Sequence, residues 1–316
     1  MNLKSEKSIK LETNKIQVFL ATYNRPHMIE KVIESILNQS FNSFELVVSD
    51  NSTNDETKVI IENKYLDQVK YIRRASTSND HFNLILKDVD SEYFMIFHDD
   101  DIMHFNMLET LYNKINVSKK IIAIGSNARV IKNEKVKRNL FYNILKTDII
   151  IENRDQMIQA YFKTGIVPFP SYLYRNEVAQ RLHFNLEHGG KHCDVAFIMD
   201  SLSLGSVIFC ASPLMDYHIH SNQDSAHHKF IDRIKLINYI SKTTSFTRRH
   251  KLLKTQRMLN LYAEIKDELL YIKKTIRLKK YYTIIKLIFE VSPFEYFPKI
   301  LLITIYSLIN KAKNGR

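Results

Sequence analysis

Three consecutive carboxylates, Asp99, Asp100 and Asp101, come directly after the apolar run Tyr93-Phe-Met-Ile-Phe97 and His98. Such a run suits a strand covered on both faces. In an open α/β sheet the residues just past the carboxyl end of a strand line the crevice where ligands bind. Adjacent like charges repel and resist burial, so a triplet at that mouth calls for a divalent cation or a set of hydrogen-bond donors. Mg²⁺ and Mn²⁺ take carboxylate oxygens and commonly carry phosphates. Taken alone, the triplet fits equally a solvated acidic turn that opens the next helix. Two further positions carry chemistry. Asp194 comes after the pair Gly189-Gly190 and precedes an apolar helical segment, Val195 to Leu204, where it reads either as a helix cap or as a lone functional carboxylate. His218 and His220 alternate along an extended segment, so they share a face and could ligate a metal or donate to phosphate.

The elements that must position these residues are legible in the hydrophobic pattern. Lys15 to Asn24 reads as a buried strand and a polar turn, and Arg25-Pro26 opens a helix with Met28, Val32, Ile33, Ile36 and Leu37 at helical spacing. Phe44 to Asp50 is a second strand, ending in a carboxylate and the loop Asn51 to Asp55, and a helix comes next over about 56 to 64. Val69 to Arg73 is a third strand, and Asp80 to Val89 a helix that leads into the acidic strand. Four strands alternating with helices imply an α/β fold with a mostly parallel sheet and right-handed crossovers. Their carboxyl ends gather Thr22, Asn24, Asp50, Arg73 and the triplet along one edge. Any one of these is a common turn residue; their recurrence after strand after strand points to a shared site. Further on, Ile121 to Gly125 and Val207 to Ala211 read as strands, 133 to 148 as an insertion of mixed signals, and Gly165 to Tyr174 as a Pro-rich turn entering a strand. Its aromatics suit either a sugar or lipid site or the core.

Composition sets the outer bounds. Cys193 and Cys210 are the only cysteines in 316 residues, which excludes a disulfide scaffold and suits a reducing compartment. No zinc-binding spacing is present. Met1 to Lys15 lacks the apolar core of a secretory signal, and Ile300 to Ile309 is shorter than the roughly 20 residues of a spanning helix, so a soluble or peripheral protein is expected. The formal charge of +12 is unevenly spread: residues 229 to 316 hold 20 Lys and Arg against 6 Asp and Glu, whereas residues 1 to 228 hold 26 against 28. That pattern divides the chain into a terminal tail (1–14), a near-neutral body (15–228) and a basic helical region (229–316).

Taken in order, Val18-Phe-Leu-Ala-Thr-Tyr-Asn-Arg-Pro26, Leu46-Val-Val-Ser-Asp-Asn-Ser52, Ser91 to Asp101, Asp194 and Tyr217-His-Ile-His220 resemble the family 2 glycosyltransferases with the GT-A fold, over roughly residues 15 to 225. The resemblance implies an inverting, metal-dependent transfer of a sugar from a nucleotide-sugar, usually a UDP-sugar, to a hydroxyl of a saccharide acceptor in surface polysaccharide synthesis. Thr22, Tyr23, Asn24 and Arg25 then match the turn that holds the nucleotide, and Asp50 the acid that contacts the base. Asp99 and Asp101 match the family's DxD pair with Asp100 between them, and His220 the late histidine that reaches the metal (Mn²⁺ or Mg²⁺) or the diphosphate. Asp194 matches the catalytic base. Two positions depart from the family. Phe82-Asn83 stands where many relatives have Arg-Asn, so Asn83 is kept as a donor contact while the phosphate-binding arginine is Arg73, Arg74 or missing. Cys193-Asp194 replaces an acid pair, leaving Asp194 alone.

In the basic region, Lys273 to Lys280 with Tyr281, Tyr282 and Ile284 to Phe289 place cations beside an apolar face, the composition of a helix lying in an anionic membrane interface. A lipid-linked acceptor would give that contact a purpose, with the protein peripheral on the cytoplasmic face of the cell membrane. The apolar content speaks against nucleic acid as partner, and a solvated helical bundle packed on the body is the alternative. Two rival functions share much of this logic: a non-catalytic sugar-nucleotide fold acting as an anchor, and a metal-dependent nucleotidyltransferase or phosphohydrolase, which would leave Asp194 without a role.

Overall fold

The structure, a computed structural model, describes residues 15–75, 80–163, 165–220 and 230–243. In chain order the elements are β1 (Ile16–Thr22), α1 (Pro26–Leu37), β2 (Phe44–Asp50), α2 (Glu56–Lys64), β3 (Lys70–Arg73), α3 (His81–Lys87), β4 (Tyr93–His98), β5 (Ile102–Met103), α4 (Met107–Ile115), β6 (Ile121–Lys132), β7 (Lys135–Arg138), β8 (Ile149–Ile151), α5 (Arg154–Lys163), β9 (Leu173–Arg175), α6 (Asn176–Arg181), α7 (Cys193–Ser201), β10 (Ser206–Ile219) and α8 (Phe230–Thr243). The described residues group into two compact units: 15–75, 80–150, 167–183 and 204–220 form the first, and 151–163, 165–166, 184–203 and 230–243 the second.

The first unit is built on the sheet β3-β2-β1-β4-β9-β6-β10-β5. β3, β2, β1 and β4 are parallel, as the alternation of strands and helices requires. All seven residues of β1 and five of the six in β4 are buried, which is what an apolar run without polar alternation dictates for a central parallel strand. Helix α1 opens on Pro26, whose missing N–H costs nothing in the first turn. It buries Ile29, Val32, Ile33 and Ile36; Ile29 takes the inward position expected of Met28.

β9 is inserted antiparallel between β4 and β6. Tyr172 and Tyr174 are fully buried there, stacked on each other at 5.7 Å, with Tyr174 on Phe94 at 5.2 Å, so this aromatic segment belongs to the core. The neighbouring β6 accommodates it with Gly125, where a Cβ would stand 2.7 Å from the Tyr172 ring and from Val167. β6 runs on well past the expected five residues, and the segment read as an insertion begins with a hairpin: β7 folds back on β6 through Asn133 and Glu134, both left-handed at φ 51° and 58°.

β10 is parallel to β6 and pairs antiparallel with β5, Ile102 opposite Asp216 and Met103 opposite Met215. An ionic cluster fixes this corner. Arg129 Nε and Nη2 donate to the two oxygens of Asp216 at 2.6 and 2.7 Å, and His104 Nε2 meets Oδ1 at 2.9 Å. Burial pushes the Asp216 carboxyl up, but the hydrogen bonds and charges of His104 and Arg129 outweigh it and bring it down to about 2. A depressed carboxylate stabilises the fold above its unfolded value of about 4, and that contribution is lost as pH falls through about 4 toward 2. The Asp216→Asn variant should therefore lose roughly 2 kcal/mol relative to wild type at pH 6, and the gap should close near pH 2, as read by urea unfolding at the two pH values.

In the second unit, α7 and α8 are joined by polar contacts at Asp200. Tyr239 donates to both of its oxygens, at 2.7 and 2.9 Å, Arg154 forms an ion pair with it, and the His188 ring stacks on Tyr239 at 3.8 Å. Gly190, left-handed at φ 58°, lets Asp232 of α8 approach: a Cβ there would sit 2.0 Å from Asp232 Oδ1. Of the basic region expected over 229–316, α8 is described and the run Lys273 to Lys280 lies outside the described residues. Among the described residues no helix is long and apolar enough to cross a membrane.

Candidate functional site

The register of the parallel strands brings the turns after β1, β2 and β4 side by side. Thr22 stands opposite Asp50, and Ala21 opposite His98. The first turn closes on the triplet: Thr22 Oγ1 donates to Asp99 Oδ2 at 2.7 Å, the Tyr23 N–H reaches the same oxygen at 3.3 Å, and Arg25 Nη1 bridges Asp99 Oδ1 and Asp100 Oδ2 at 2.7 and 3.0 Å. Asn24, left-handed at φ 52°, ties β1 to the loop after β2, receiving the Thr53 N–H at 2.9 Å while its own N–H donates to Ser52 Oγ at 2.7 Å. The end of β10 closes the other side. The His218 N–H donates to Asp101 Oδ1 at 3.0 Å, and His220 Nε2 lies 3.0 Å from Asp100 Oδ2. This corner exists because β5, directly after the triplet, pairs with β10.

The three carboxylates differ in their surroundings. Asp99 is buried, which raises its pKa, with the Arg25 charge opposing and Asp100 adding to the shift. Asp101 is 1% exposed; burial first, then the negative charge of Asp100, pushes its carboxyl well above the usual range. Its Oδ2 is buried and has no hydrogen-bond partner among the described residues. A buried, unpartnered carboxylate oxygen beside a second carboxylate is costly as it stands and is a ready ligand for a cation. Ligand atoms of His98, Asp100 and Asp101 lie within 4.8 Å of one another, so two hard oxygens and an imidazole nitrogen converge, a donor set that suits a divalent ion such as Mn²⁺. Asp99 and His220, expected at the metal, are both within the same set of contacts: Asp99 is held by Thr22 and Arg25, and His220 reaches Asp100. Sequence reasoning assigns nothing to His98, although its place two residues before Asp100 at the strand end is a signal of the right kind.

Asp50 is fully buried at the end of β2, receiving the Ser52 N–H at 2.7 Å, the Tyr71 hydroxyl at 2.8 Å and Arg73 Nη1 at 3.3 Å. Arg73 also lies 3.4 Å from Asp55, while Arg74 pairs with Asp88 and donates to Ser49 Oγ. Asn83 is partly buried in the first turn of α3, next to Phe82, which stacks on His98 at 6.1 Å.

Asp194 belongs to the second unit, in the first turn of α7. It is partly buried, and its Oδ1 accepts the Val195 N–H at 2.8 Å. Burial raises its pKa to about 6 against the lowering effect of the backbone N–H groups. The neighbouring Cys193 thiol is pushed up to about 12 by burial and by Asp194, so it is inert as a nucleophile.

Residues 17–182 match the family described as Glycosyl transferase family 2. The chain belongs to that family. Among curated relatives it is 27% identical over 168 residues to a GalNAc(5)-diNAcBac-PP-undecaprenol beta-1,3-glucosyltransferase of Campylobacter jejuni, covering 52% of this chain and 54% of that one. It is 31% identical over 145 residues to the poly(ribitol-phosphate) beta-N-acetylglucosaminyltransferase TarP of Staphylococcus aureus, covering 43% and 44%. The chain thus spans about half the length of the curated relatives it matches. Among solved structures, S. aureus TarS 1-349 in complex with UDP superimposes with a TM-score of 0.65 at 14% identity, over 88% of this chain and 81% of that one. The mannosyltransferase PcManGT of Pyrobaculum calidifontis, in complex with GDP-Man and Mn²⁺, does so at 0.55 and 15% identity, over 96% and 88%. The GT-A fold expected from the family 2 motifs is the fold of this chain.

Proposed function

We propose that this family 2 protein transfers a sugar from a nucleotide diphosphate sugar, most consistently a UDP-sugar, to a hydroxyl of a saccharide acceptor, with inversion at the anomeric carbon. The observation that carries the reading is the buried, unpartnered Oδ2 of Asp101 beside Asp100 and His98, at the strand ends where a nucleotide diphosphate would lie. A divalent ion held by His98, Asp100 and Asp101, with Asp99 and His220 at its margin, would supply charge stabilisation to the departing diphosphate. The protein groups do the rest. Asn24 and Ser52 hold the loops against which the nucleoside would pack, and Asp50, buried and braced by Tyr71 and Arg73, would act on the base by fixing the loop after β2 through the Ser52 N–H. Arg25, already bridging Asp99 and Asp100, keeps the triplet from splaying before the donor arrives. Asp194 would take the proton of the attacking hydroxyl; a carboxylate with a pKa of about 6 is ionised at neutral pH yet basic enough for that step.

The UDP complex of TarS, the GDP-Man and Mn²⁺ complex of the mannosyltransferase and the undecaprenol-linked acceptor named for the Campylobacter relative support this choice of donor, ion and acceptor class. The basic region 229–316 would hold the protein against an anionic leaflet where such an acceptor is presented. The test is a thermal-shift screen of nucleotide sugars with and without Mn²⁺, and then an assay of nucleotide release. Stabilisation by a UDP-sugar only with the metal, and release of UDP only with an acceptor, is the expected pair of results. Release that ignores the acceptor would replace transfer by hydrolysis.

A further inference from the structure

The β6–β7 hairpin is exposed throughout residues 132 to 139 and carries Lys132, Lys135, Lys137 and Arg138 against Glu134 alone. That local excess stands out in a body whose first 228 residues are slightly acidic. Lys132 and Lys135 are directly opposite in the ladder, so their ammonium groups share one face of the hairpin, and Lys137 comes two residues on, at the bulge between Val136, opposite Ile131, and Arg138, opposite Val130. Like charges placed opposite each other weaken a strand pair, and no acidic side chain pairs with Lys132, Lys135 or Lys137 among the described residues. An external anion would relieve the repulsion.

The place of the hairpin tells which anion. β6 runs parallel to β10, with Val130 opposite Tyr217 and Lys132 opposite Ile219. The next residue along β10 is His220, which meets Asp100, and the His218 N–H holds Asp101. The hairpin therefore springs from the same end of the sheet as the triplet. Between them runs a partly exposed aromatic step: Arg138 lies over the Phe141 ring at 5.8 Å, and Phe141 packs edge-on to Tyr217 at 5.1 Å. Ring faces of this kind suit a sugar, and ammonium groups suit phosphate oxygens.

We propose that the hairpin binds the phosphodiester groups of the acceptor, so that the substrate class is a phosphodiester-linked saccharide or polyol chain. This rests on the transferase reading of the triplet. Cations distributed over both strands of the hairpin, from Lys132 and Lys135 past the bulge to Lys137 and Arg138, match repeated single phosphates better than one compact diphosphate. A bilayer is a poor fit, because Val136 is the one apolar residue the exposed hairpin offers to it.

The test uses the full chain as wild type, as K132Q/K135Q/K137Q and as K132R/K135R/K137R. Calorimetry with a short glycerol-phosphate oligomer should show binding by wild type that weakens with salt, falls about tenfold in the Gln variant and is kept in the Arg variant. Thermal stabilisation by UDP with Mn²⁺ should be equal in all three. The proposal is overturned if wild type does not bind the oligomer, if the Gln variant binds it as well as wild type, or if the Gln substitutions weaken binding only to phosphatidylglycerol vesicles or to farnesyl diphosphate. Loss of UDP binding in every protein would instead remove the donor reading, while the oligomer titration would still decide the hairpin.

Discussion

Replacing Asp101 by Asn is expected to abolish metal-dependent binding of the nucleotide sugar and to lower turnover by roughly 10²- to 10³-fold or more. The reason lies in what holds this carboxylate. Its Oδ1 accepts the His218 N–H, whereas Oδ2 is buried without a partner, against Asp100. Without a cation the charge is a burden on the fold, since burial and a like charge both oppose ionisation. An Asn amide can keep the bond from His218 while removing the charge, so the substitution relieves the apo protein and disables the site together. Two melting curves distinguish this from damage to the fold. Wild type should gain stability on addition of Mn²⁺, through the linkage of binding to folding. The variant should begin at an equal or higher midpoint and gain nothing. Unchanged Mn²⁺-dependent donor affinity by calorimetry would remove Asp101 from the metal site.

The parts of this arrangement that are legible in the sequence are those written in local patterns. Continuous apolar runs mark β1 and β4 as central parallel strands, a Pro marks the start of α1, and the polar residues after each run mark the sheet edge. Thr22, Asn24 and the triplet can be placed together because parallel strands joined by right-handed crossovers put successive carboxyl ends on one side. The hidden parts depend on contacts between segments distant in sequence. A three-residue strand such as β9 carries no orientation of its own, so its antiparallel insertion beside β4 is set by the buried packing of Tyr172 and Tyr174. The β6–β7 hairpin is obscured by lysines at positions where an exposed ribbon tolerates them and by a turn, Asn133-Glu134, that lacks the usual glycine. His98 escapes a reading of the sequence because one imidazole at a strand end is ambiguous until two carboxylates are seen within reach of it.

Asp194→Asn should separate catalysis from stability, and in opposite directions. As the acceptor's base, Asp194 must be ionised, so kcat/KM should fall below a pH of about 6 in wild type, and the variant should lose roughly 10²- to 10⁴-fold in kcat with donor affinity nearly unchanged. The stability sign comes from the same raised pKa. The folded chain holds the Asp194 proton more tightly than the unfolded chain, so the contribution of this group is most favourable below about pH 4 and is lost as pH rises through about 6. Asn carries no such dependence. The variant should match wild type in stability near pH 4 and exceed it at pH 8 by something of the order of 2 kcal/mol, measured by urea unfolding at both values. A plain helix-capping role predicts the reverse. Asp194 sits in the first turn of α7, where a negative charge favours the helix dipole and a lost carboxylate destabilises by about 0.5–1 kcal/mol without touching turnover. A variant that is slower but more stable at alkaline pH identifies a carboxylate kept ionised against the preference of its surroundings, which is what a general base at this position requires; one that is less stable and equally fast identifies a cap.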